Sequence, residues 1–123
     1  MKKQQLLING KWLDAEDGGT IPVINPNNGL QNGTLARGNS LDIDKAVVAA
    51  RTAFHGLWRK MAALEKGRLI YRLGELILKN EDELSYLEAN DVGKPLSQSR
   101  NDVRALARYC EFYAGAVDKT HGE

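Results

Sequence analysis

Residues 95–117 read PLSQSRNDVRALARYCEFYAGAV, and they carry the clearest periodic pattern in the chain. Apolar side chains return every three or four positions, the spacing that places them on one face of an α-helix. Pro95 suits the first turn of a helix, where its missing backbone N–H leaves no bond unmade. The pattern therefore predicts a long helix that packs through one stripe. The stripe consists of Val103, Leu106, Ala107, Cys110, Tyr113 or Ala114, and Val117.

The same spacing predicts three more helices upstream. The first begins at Asn39 or Ser40 and ends near residue 54, with Asp42 in its first turn, where the helix dipole favours an acid. The second covers about residues 64–79 and the third about 81–91, before a glycine suited to a helix C-terminus. The side chains expected to face inward are Ile43, Ala46, Val47, Ala50 and Phe54; then Leu69, Leu73, Leu76 and Ile77; then Leu84 and Leu87, with Tyr86 as a further candidate.

The first forty residues indicate short strands joined by turns. Asn9-Gly10 between two apolar triplets is the pair typical of a type I′ hairpin. Residues 21–24 are predicted to be extended, residues 25–29 to form a turn, and Leu35-Ala36 to end another strand. Pro22 cannot donate to a ladder, so its strand is expected at a sheet edge or with Pro22 facing away from its partner. Weak strands followed by helices leave the strands with few partners of their own, so further partners are expected.

Composition narrows the classes of function. The chain has 123 residues, enough for one domain and one core, and 17 Lys and Arg balance 16 Asp and Glu. This balance supports neither a nucleic-acid partner nor an anionic membrane. The first residues lack the apolar core of a signal peptide, and no run is long enough to span a bilayer. The expectation is a cytoplasmic protein.

Cys110 and two histidines are the residues with the most obvious chemical potential. Cys110 is the only cysteine, and it is interpreted either as a nucleophile or as a core residue. Its place in the centre of an apolar stripe favours the core. His55 and His121 lie far apart in the chain, and neither has a carboxylate or thiol at ligand spacing. A metal site built on them is not expected.

Lys94 lies between Gly93 and Pro95 and has two interpretations, a phosphate-binding lysine or part of a turn between helices. A phosphate loop needs a glycine-rich segment between a strand and a helix, and no such segment is evident. The following proline also favours the turn. The residues alone therefore show no nucleotide-binding fingerprint.

The order of several motifs is more informative than any one of them. The chain resembles the opening of the aldehyde dehydrogenase superfamily, and the resemblance extends from about Leu7 to Glu123. The segments that carry it are Leu7-Ile8-Asn9-Gly10-Lys11-Trp12, Val23-Ile24-Asn25-Pro26-Asn27-Asn28-Gly29, residues 42–54, Trp58-Arg59-Lys60-Met61, Gly67-Arg68-Leu69-Ile70, Asp91-Val92-Gly93-Lys94-Pro95 and residues 109–115.

The resemblance implies an α/β, aldehyde dehydrogenase-like fold. Residues 1–123 would be the N-terminal strands, hairpin and about four amphipathic helices of its nucleotide-binding domain, without the rest of the subunit. It implies NAD or NADP as cofactor, an aldehyde as substrate, the remainder of the subunit as partner, and a homo-dimer or homo-tetramer at full length. In this family a cysteine thiolate attacks the aldehyde, hydride passes to the nicotinamide, and a glutamate-activated water releases the acid. No residue of this chain matches that cysteine or glutamate, so the chain alone is expected to be inactive.

The resemblance also implies two sites. Positions matching Asn101, Asp102 and Ala105 line the aldehyde tunnel, where the charge of Asp102 would suit cationic aldehydes; the alternative is an ordinary solvated helix residue. The carbonyls of Val23 and Ile24, with Asp91, match a structural site for a sodium or potassium ion. Asp91 ends the third predicted helix, where a carboxylate is unfavourable unless a cation offsets it, and Lys94 is the alternative source of that charge.

One other interpretation of the whole chain stays open. It is a free-standing helical interaction module that resembles this segment and has no enzyme activity. A reading frame that continues past Glu123 into a nucleotide-binding fold would favour the enzyme.

Overall fold

The computed structural model describes residues 2–119 and residue 122. The chain divides into two compact units, Met1–Lys60 and Met61–Glu123. In the described residues the first unit contains the strands and two helices, and the second contains three helices. The elements are β1 Lys2–Gln4, β2 Leu6–Ile8, β3 Lys11–Leu13, β4 Thr20–Ile24, β5 Gln31–Ala36, α1 Ser40–His55, α2 Leu57–Lys60, α3 Ala63–Lys79, α4 Glu81–Val92 and α5 Leu96–Ala116.

The predicted mixture of short strands and four longer helices is confirmed. Helix α2 forms where the sequence predicted only a connection around Trp58, and β1 was not predicted at all. No helix within the described residues is long and apolar enough to cross a lipid bilayer.

The strands of the first unit form two sheets. Three strands lie in the order β1-β5-β4, with β5 parallel to β1 and antiparallel to β4. The expectation that Pro22 belongs to an edge strand is confirmed, because β4 pairs only with β5 in this sheet. Strands β2 and β3 form the predicted hairpin, and Asn9 and Gly10 at its tip have φ values of 52° and 73°. A type I′ turn requires positive φ at both positions.

Helix α1 begins with the predicted cap. The side chain of Asn39 accepts from the N–H of Leu41 at 2.9 Å, and the carboxylate of Asp42 accepts from the N–H of Asn39 at 3.0 Å. This is a capping box, which satisfies N–H groups that the helix itself cannot. Asp42 is 4% exposed and also accepts from the N–H of Glu16 at 3.2 Å. Asp42 therefore joins the loop before β4 to the start of α1.

The predicted inward face of α1 is wrong for this chain. Ile43, Val47 and Phe54 are exposed, Ala50 is exposed as well, and only Ala46 is half-buried. Within the first unit α1 contacts mainly the short α2 and, less extensively, strand β2, and most of its apolar stripe stays exposed.

Helices α3 and α5 form the core of the second unit. Ile77 of α3 packs with Val103, Ala107 and Cys110 of α5, and Ile70 and Leu84 are partly buried against them. The contact is close at two glycines of α3. A methyl group on Gly67 would lie 2.6 Å from the carbonyl oxygen of Ala114, and one on Gly74 would lie 3.1 Å from Cβ of Cys110. The two helices therefore approach each other where α3 has no side chain.

The contact between α3 and α5 shows that the predicted inward face of α3 is only partly right. Ile77 is buried, but Leu69, Leu73 and Leu76 are 47–51% exposed. The buried positions are instead Gly67, Gly74 and Ile77, with Ile70 half-buried. A helix that packs through glycines turns its small residues toward the neighbour, so the leucines lie on a different face.

The buried faces of α4 and α5 differ from the predicted inward faces at a few positions. In α4, Leu84 is half-buried as expected, but Tyr86 and Leu87 are exposed and Ser85 is fully buried. In α5, Val103, Ala107 and Cys110 are buried as predicted, and Ala114 rather than Tyr113 continues the stripe. Leu106 and Tyr113 are exposed. The buried faces of both helices are thus made of smaller residues than the pattern predicted.

We expect Gly67→Ala to destabilise the chain by about 1–3 kcal/mol, because the new methyl group meets a backbone carbonyl that cannot move freely. Gly115→Ala is the matched control, since Gly115 is also helical and a methyl group there would meet no atom within 4 Å. The control should be neutral or gain up to about 1 kcal/mol from the better helix former. Urea unfolding followed by circular dichroism measures both. Equal midpoints for the two variants would contradict the close contact.

Candidate functional site

The turn between α4 and α5 carries the densest group of charged side chains near the predicted tunnel residues. Gly93 ends α4 with φ of 74°, and its N–H donates to the carbonyl of Ala89 at 3.0 Å. Pro95 is the N-cap of α5, with Lys94 between them. The interpretation of Lys94 as part of a turn between helices is therefore confirmed.

Lys94 forms ion pairs with a carboxylate on each flanking helix. Its Nζ lies 2.5 Å from the Oδ2 of Asp102 on α5 and also contacts the Oε1 of Glu88 on α4. The hydrogen bond to Asp102, and then the one to Glu88, raise the pKa of Lys94 above its ordinary value of 10.5, while burial opposes them. One ammonium group thus links α4 to α5 beside the turn.

The three predicted tunnel residues lie on the exposed surface of α5. Asn101, Asp102 and Ala105 are all solvent-exposed. A helix places residues one turn apart on the same side, so Asn101 and Ala105 are neighbours on this surface. Lys94 offsets part of the charge of Asp102, since its single positive charge is shared with Glu88. Whether these residues contact an aldehyde stays a prediction.

The predicted cation site also stays a prediction. Val23 and Ile24 lie at the end of β4 in the first unit, and Asp91 lies in the last turn of α4 in the second. A register shift falls between Val23 and Ile24, but its extra residue is Asn32 of β5, and Val23 and Ile24 themselves pair with Gly33 and Gln31. In residues 2–119 the ion pairs of Lys94 go to Glu88 and Asp102, and none joins it to Asp91.

A metal cluster of another kind is also not evident. The described part of the chain has no group of three or more His, Cys, Asp or Glu side chains close enough to hold an ion. His55 ends α1 and lies edge-on to Phe54, with ring centroids 5.1 Å apart. His121 lies outside the described residues.

Cys110 is 8% exposed and belongs to the core of the second unit. The interpretation as a core cysteine is therefore confirmed. The polar side chains near the α4–α5 turn include Lys94, the carboxylates of Glu88 and Asp102, and the exposed hydroxyl of Ser97. These groups can make ion pairs or hydrogen bonds with a bound molecule.

A polar groove at the other end of α4 was not predicted. It has a volume of about 480 Å³, and two ion pairs cross it, Arg100 with Asp82 at 3.3 Å and Arg104 with Glu81 at 2.9 Å. The one-turn spacing of Arg100 and Arg104 was the available signal. The acidic partners start α4, where the helix dipole also favours them. These pairs hold the start of α4 against α5.

The described residues do not fit a dinucleotide cofactor. The one connection that leads directly from a strand to a helix, between β5 and α1, has no glycine-rich phosphate loop. The first N–H groups of α1 are already bonded to the Asn39 side chain, and the carboxylate of Asp42 would repel a phosphate there. The start of α1 is therefore not a phosphate-binding site.

Strands and a hairpin in one unit, and helices with an ion-paired turn in the other, define an α/β segment. The sequence model of the aldehyde dehydrogenase family matches residues 12–123, and the chain belongs to this family. The chain corresponds to an N-terminal segment of its members.

Individual relatives agree with this assignment. The chain is 44% identical over 120 residues to aldehyde dehydrogenase family 2 member B4, mitochondrial, of Arabidopsis thaliana, covering 96% of this chain and 22% of that protein. It is 39% identical over 121 residues to betaine aldehyde dehydrogenase of Bacillus subtilis, covering 98% and 25%. The crystal structure of a putative aldehyde dehydrogenase from Burkholderia cenocepacia superposes with a TM-score of 0.94 at 49% identity, covering 97% and 25%. The chain thus spans about a quarter of the length of the relatives it matches.

We expect the stabilisation from Lys94 to disappear at alkaline pH. Because the pKa of Lys94 in the folded chain lies above its ordinary value of 10.5, the stabilisation is complete below pH 10.5 and is lost as the pH rises through the raised pKa. Lys94→Met should therefore unfold at lower urea than the native chain at neutral pH, and this difference should shrink above pH 10.5.

Lys94→Arg is the control, because a guanidinium group stays protonated throughout this range. The Arg variant should keep its advantage over the Met variant at alkaline pH. Equal unfolding midpoints for all three chains at neutral pH would show that the ion pairs do not stabilise the fold.

Proposed function

We propose that this chain is the N-terminal portion of an NAD(P)-dependent aldehyde dehydrogenase, which oxidises an aldehyde to a carboxylic acid. The observation that carries the proposal is the TM-score of 0.94 over 97% of the chain, at 49% identity, with a structure four times as long. A solved NAD+ complex of the Bacillus cereus aldehyde dehydrogenase, with a TM-score of 0.94 at 35% identity, supports NAD as the cofactor of the whole protein.

The contribution of this segment would be support and substrate binding. The only cysteine of the chain is buried in a helix contact, so the nucleophile must come from elsewhere in the whole protein. The exposed surface of α5 with Asn101, Asp102 and Ala105 is the part that we propose to contact the aldehyde. Lys94 holds Asp102 in place there and offsets part of its charge, so selection for cationic aldehydes would be weaker than an unpaired Asp102 would produce.

Location and assembly are further proposals. A cytoplasmic protein, forming a homo-dimer or homo-tetramer at full length, is what the sequence predicted. Two plant relatives carry the word mitochondrial in their names, so cell fractionation is the direct test of location. The sodium or potassium site at Val23, Ile24 and Asp91 belongs to the same proposal for the whole protein.

A chimera tests the proposed function. Residues 12–123 replace the matching segment of the Bacillus subtilis betaine aldehyde dehydrogenase, to which this chain is 39% identical. We expect the chimera to reduce NAD in the presence of aldehyde, with kcat within about tenfold of the parent enzyme. This chain alone should produce no NADH above a blank, because its thiol is buried.

Two controls make the result decisive. A chimera with the helix content and cooperative unfolding of its parent, but without aldehyde-dependent NAD reduction, would contradict the proposal. In an active chimera, Asp102→Asn should change the KM for cationic aldehydes more than the kcat. Unchanged KM values for every aldehyde would remove Asp102 from the proposed tunnel.

A further inference from the structure

The chain contains three Asn-Gly dipeptides, Asn9-Gly10, Asn28-Gly29 and Asn32-Gly33. Asparagine is a thermolabile residue, and a following glycine leaves the next backbone nitrogen sterically accessible. We propose that Asn9 is a site of spontaneous deamidation in the folded chain, and that the structure protects Asn28 and Asn32 from the same reaction. The modification needs only water as co-reactant.

Deamidation at Asn9 proceeds through a cyclic intermediate. The backbone nitrogen of Gly10 loses its proton and attacks Cγ of the Asn9 side chain, forming a C–N bond and a five-membered succinimide. The bond between Cγ and the side-chain nitrogen breaks, and ammonia leaves. Water then opens the ring at either carbonyl, which produces aspartate or isoaspartate at position 9.

The groups that react at Asn9-Gly10 are free in the folded chain. Both residues are exposed at the tip of the β2–β3 hairpin. In the described part of the chain, neither the Asn9 side chain nor the N–H of Gly10 has a hydrogen-bond partner, since the terminal ladder pair is Ile8 with Lys11. A methyl group placed on Gly10 would meet no atom within 4 Å, so water reaches this turn freely.

Asn28-Gly29 has the same sequence, but its reacting groups are hydrogen-bonded. The side-chain oxygen of Asn28 accepts from the N–H of Leu30 at 2.9 Å, and the N–H of Gly29 donates to the carbonyl of Asn25 at 2.8 Å. The electrophile and the nucleophile are both held by hydrogen bonds within this turn. Attack there requires both bonds to break first.

Asn32-Gly33 is protected by the sheet. It lies in β5, the central strand, and Gly33 is buried between its partners Lys2 of β1 and Val23 of β4. Asn32 itself is the extra residue at the register shift, since Gln31 pairs with Ile24 and Gly33 pairs with Val23. The attacking nitrogen belongs to Gly33, however, and neighbouring strands hold Gly33 on both sides. Ring closure at Asn32 therefore requires Gly33 to leave these pairs.

Opening the β2–β3 hairpin at its tip requires less free energy than opening the three-stranded sheet. The Asn9 backbone must rotate out of its left-handed conformation before the Gly10 nitrogen can reach Cγ. The hairpin has three residue pairs, and all of β3 is exposed. Short hairpins with little burial open locally at small free-energy cost.

The product would change the surface of the first unit. Asn9 and Gly10 border a shallow groove of about 360 Å³, which the hairpin forms with alanines of α1: Ala46, Ala49, Ala50 and Ala53. Either product places a carboxylate at the rim of this apolar groove. Isoaspartate also lengthens the backbone of a two-residue turn, whose length sets the pairing of Ile8 with Lys11.

The test is an ageing experiment on the full chain. The protein is incubated in mildly alkaline buffer made with water labelled in its oxygen, then digested and mapped by chromatography and mass spectrometry. We expect the peptide with Asn9 to convert first, to an aspartate and isoaspartate mixture that carries the oxygen label, at a rate several-fold above those of Asn28 and Asn32. In urea the three sites should convert at similar rates, because each is followed by glycine.

Two results would overturn the proposal. One is conversion of Asn28 or Asn32 as fast as Asn9 in the folded chain. The other is an unchanged Asn9 under folded conditions while it converts readily in urea, which would show that the hairpin protects its tip. Asn9→Gln is the matched variant; it should abolish early conversion and leave the rates at Asn28 and Asn32 unchanged.

Discussion

The close approach of α3 to α5 at Gly67 and Gly74 is the constraint on which the second unit depends. At these positions a side chain would meet the carbonyl of Ala114 or the Cβ of Cys110. The short distance brings Ile77 into the same contact as Val103 and Ala107, and these residues form the only buried apolar cluster in the described residues. Dispersion contacts fall off steeply with distance, so a wider gap would weaken all of them together.

The rest of the second unit is arranged around this helix pair. Helix α4 packs against α5, and each helix has one fully buried serine, Ser85 and Ser99. Ion pairs hold α4 at both ends, to Arg100 and Arg104 at its start and through Lys94 near its end. Because α5 is fixed along one face, its opposite surface has a defined position. A defined position is what the proposed contact between this surface and an aldehyde would require.

The sequence predicted the features that depend on neighbouring residues. The Asn9-Gly10 turn, the Asn39 cap and the Gly93 helix end all follow from local backbone chemistry. The buried face of α3 did not follow, because leucines dominate an apolar pattern while packing here depends on the absence of side chains at Gly67 and Gly74. The pairing of Lys94 with Asp102 was also missed, since it depends on how two helices meet at the turn. Motif order, rather than any one residue, pointed to the family.

The reactivity of Cys110 measures the central contact most directly, because it is the only thiol of the chain and faces Gly74. A thiol reagent should label it far more slowly in the native chain than in urea-unfolded chain, and the rate should rise with urea in parallel with the loss of helical circular dichroism. Labelling at the unfolded rate while the helix content is intact would show that α3 and α5 do not enclose the thiol, and would contradict the account.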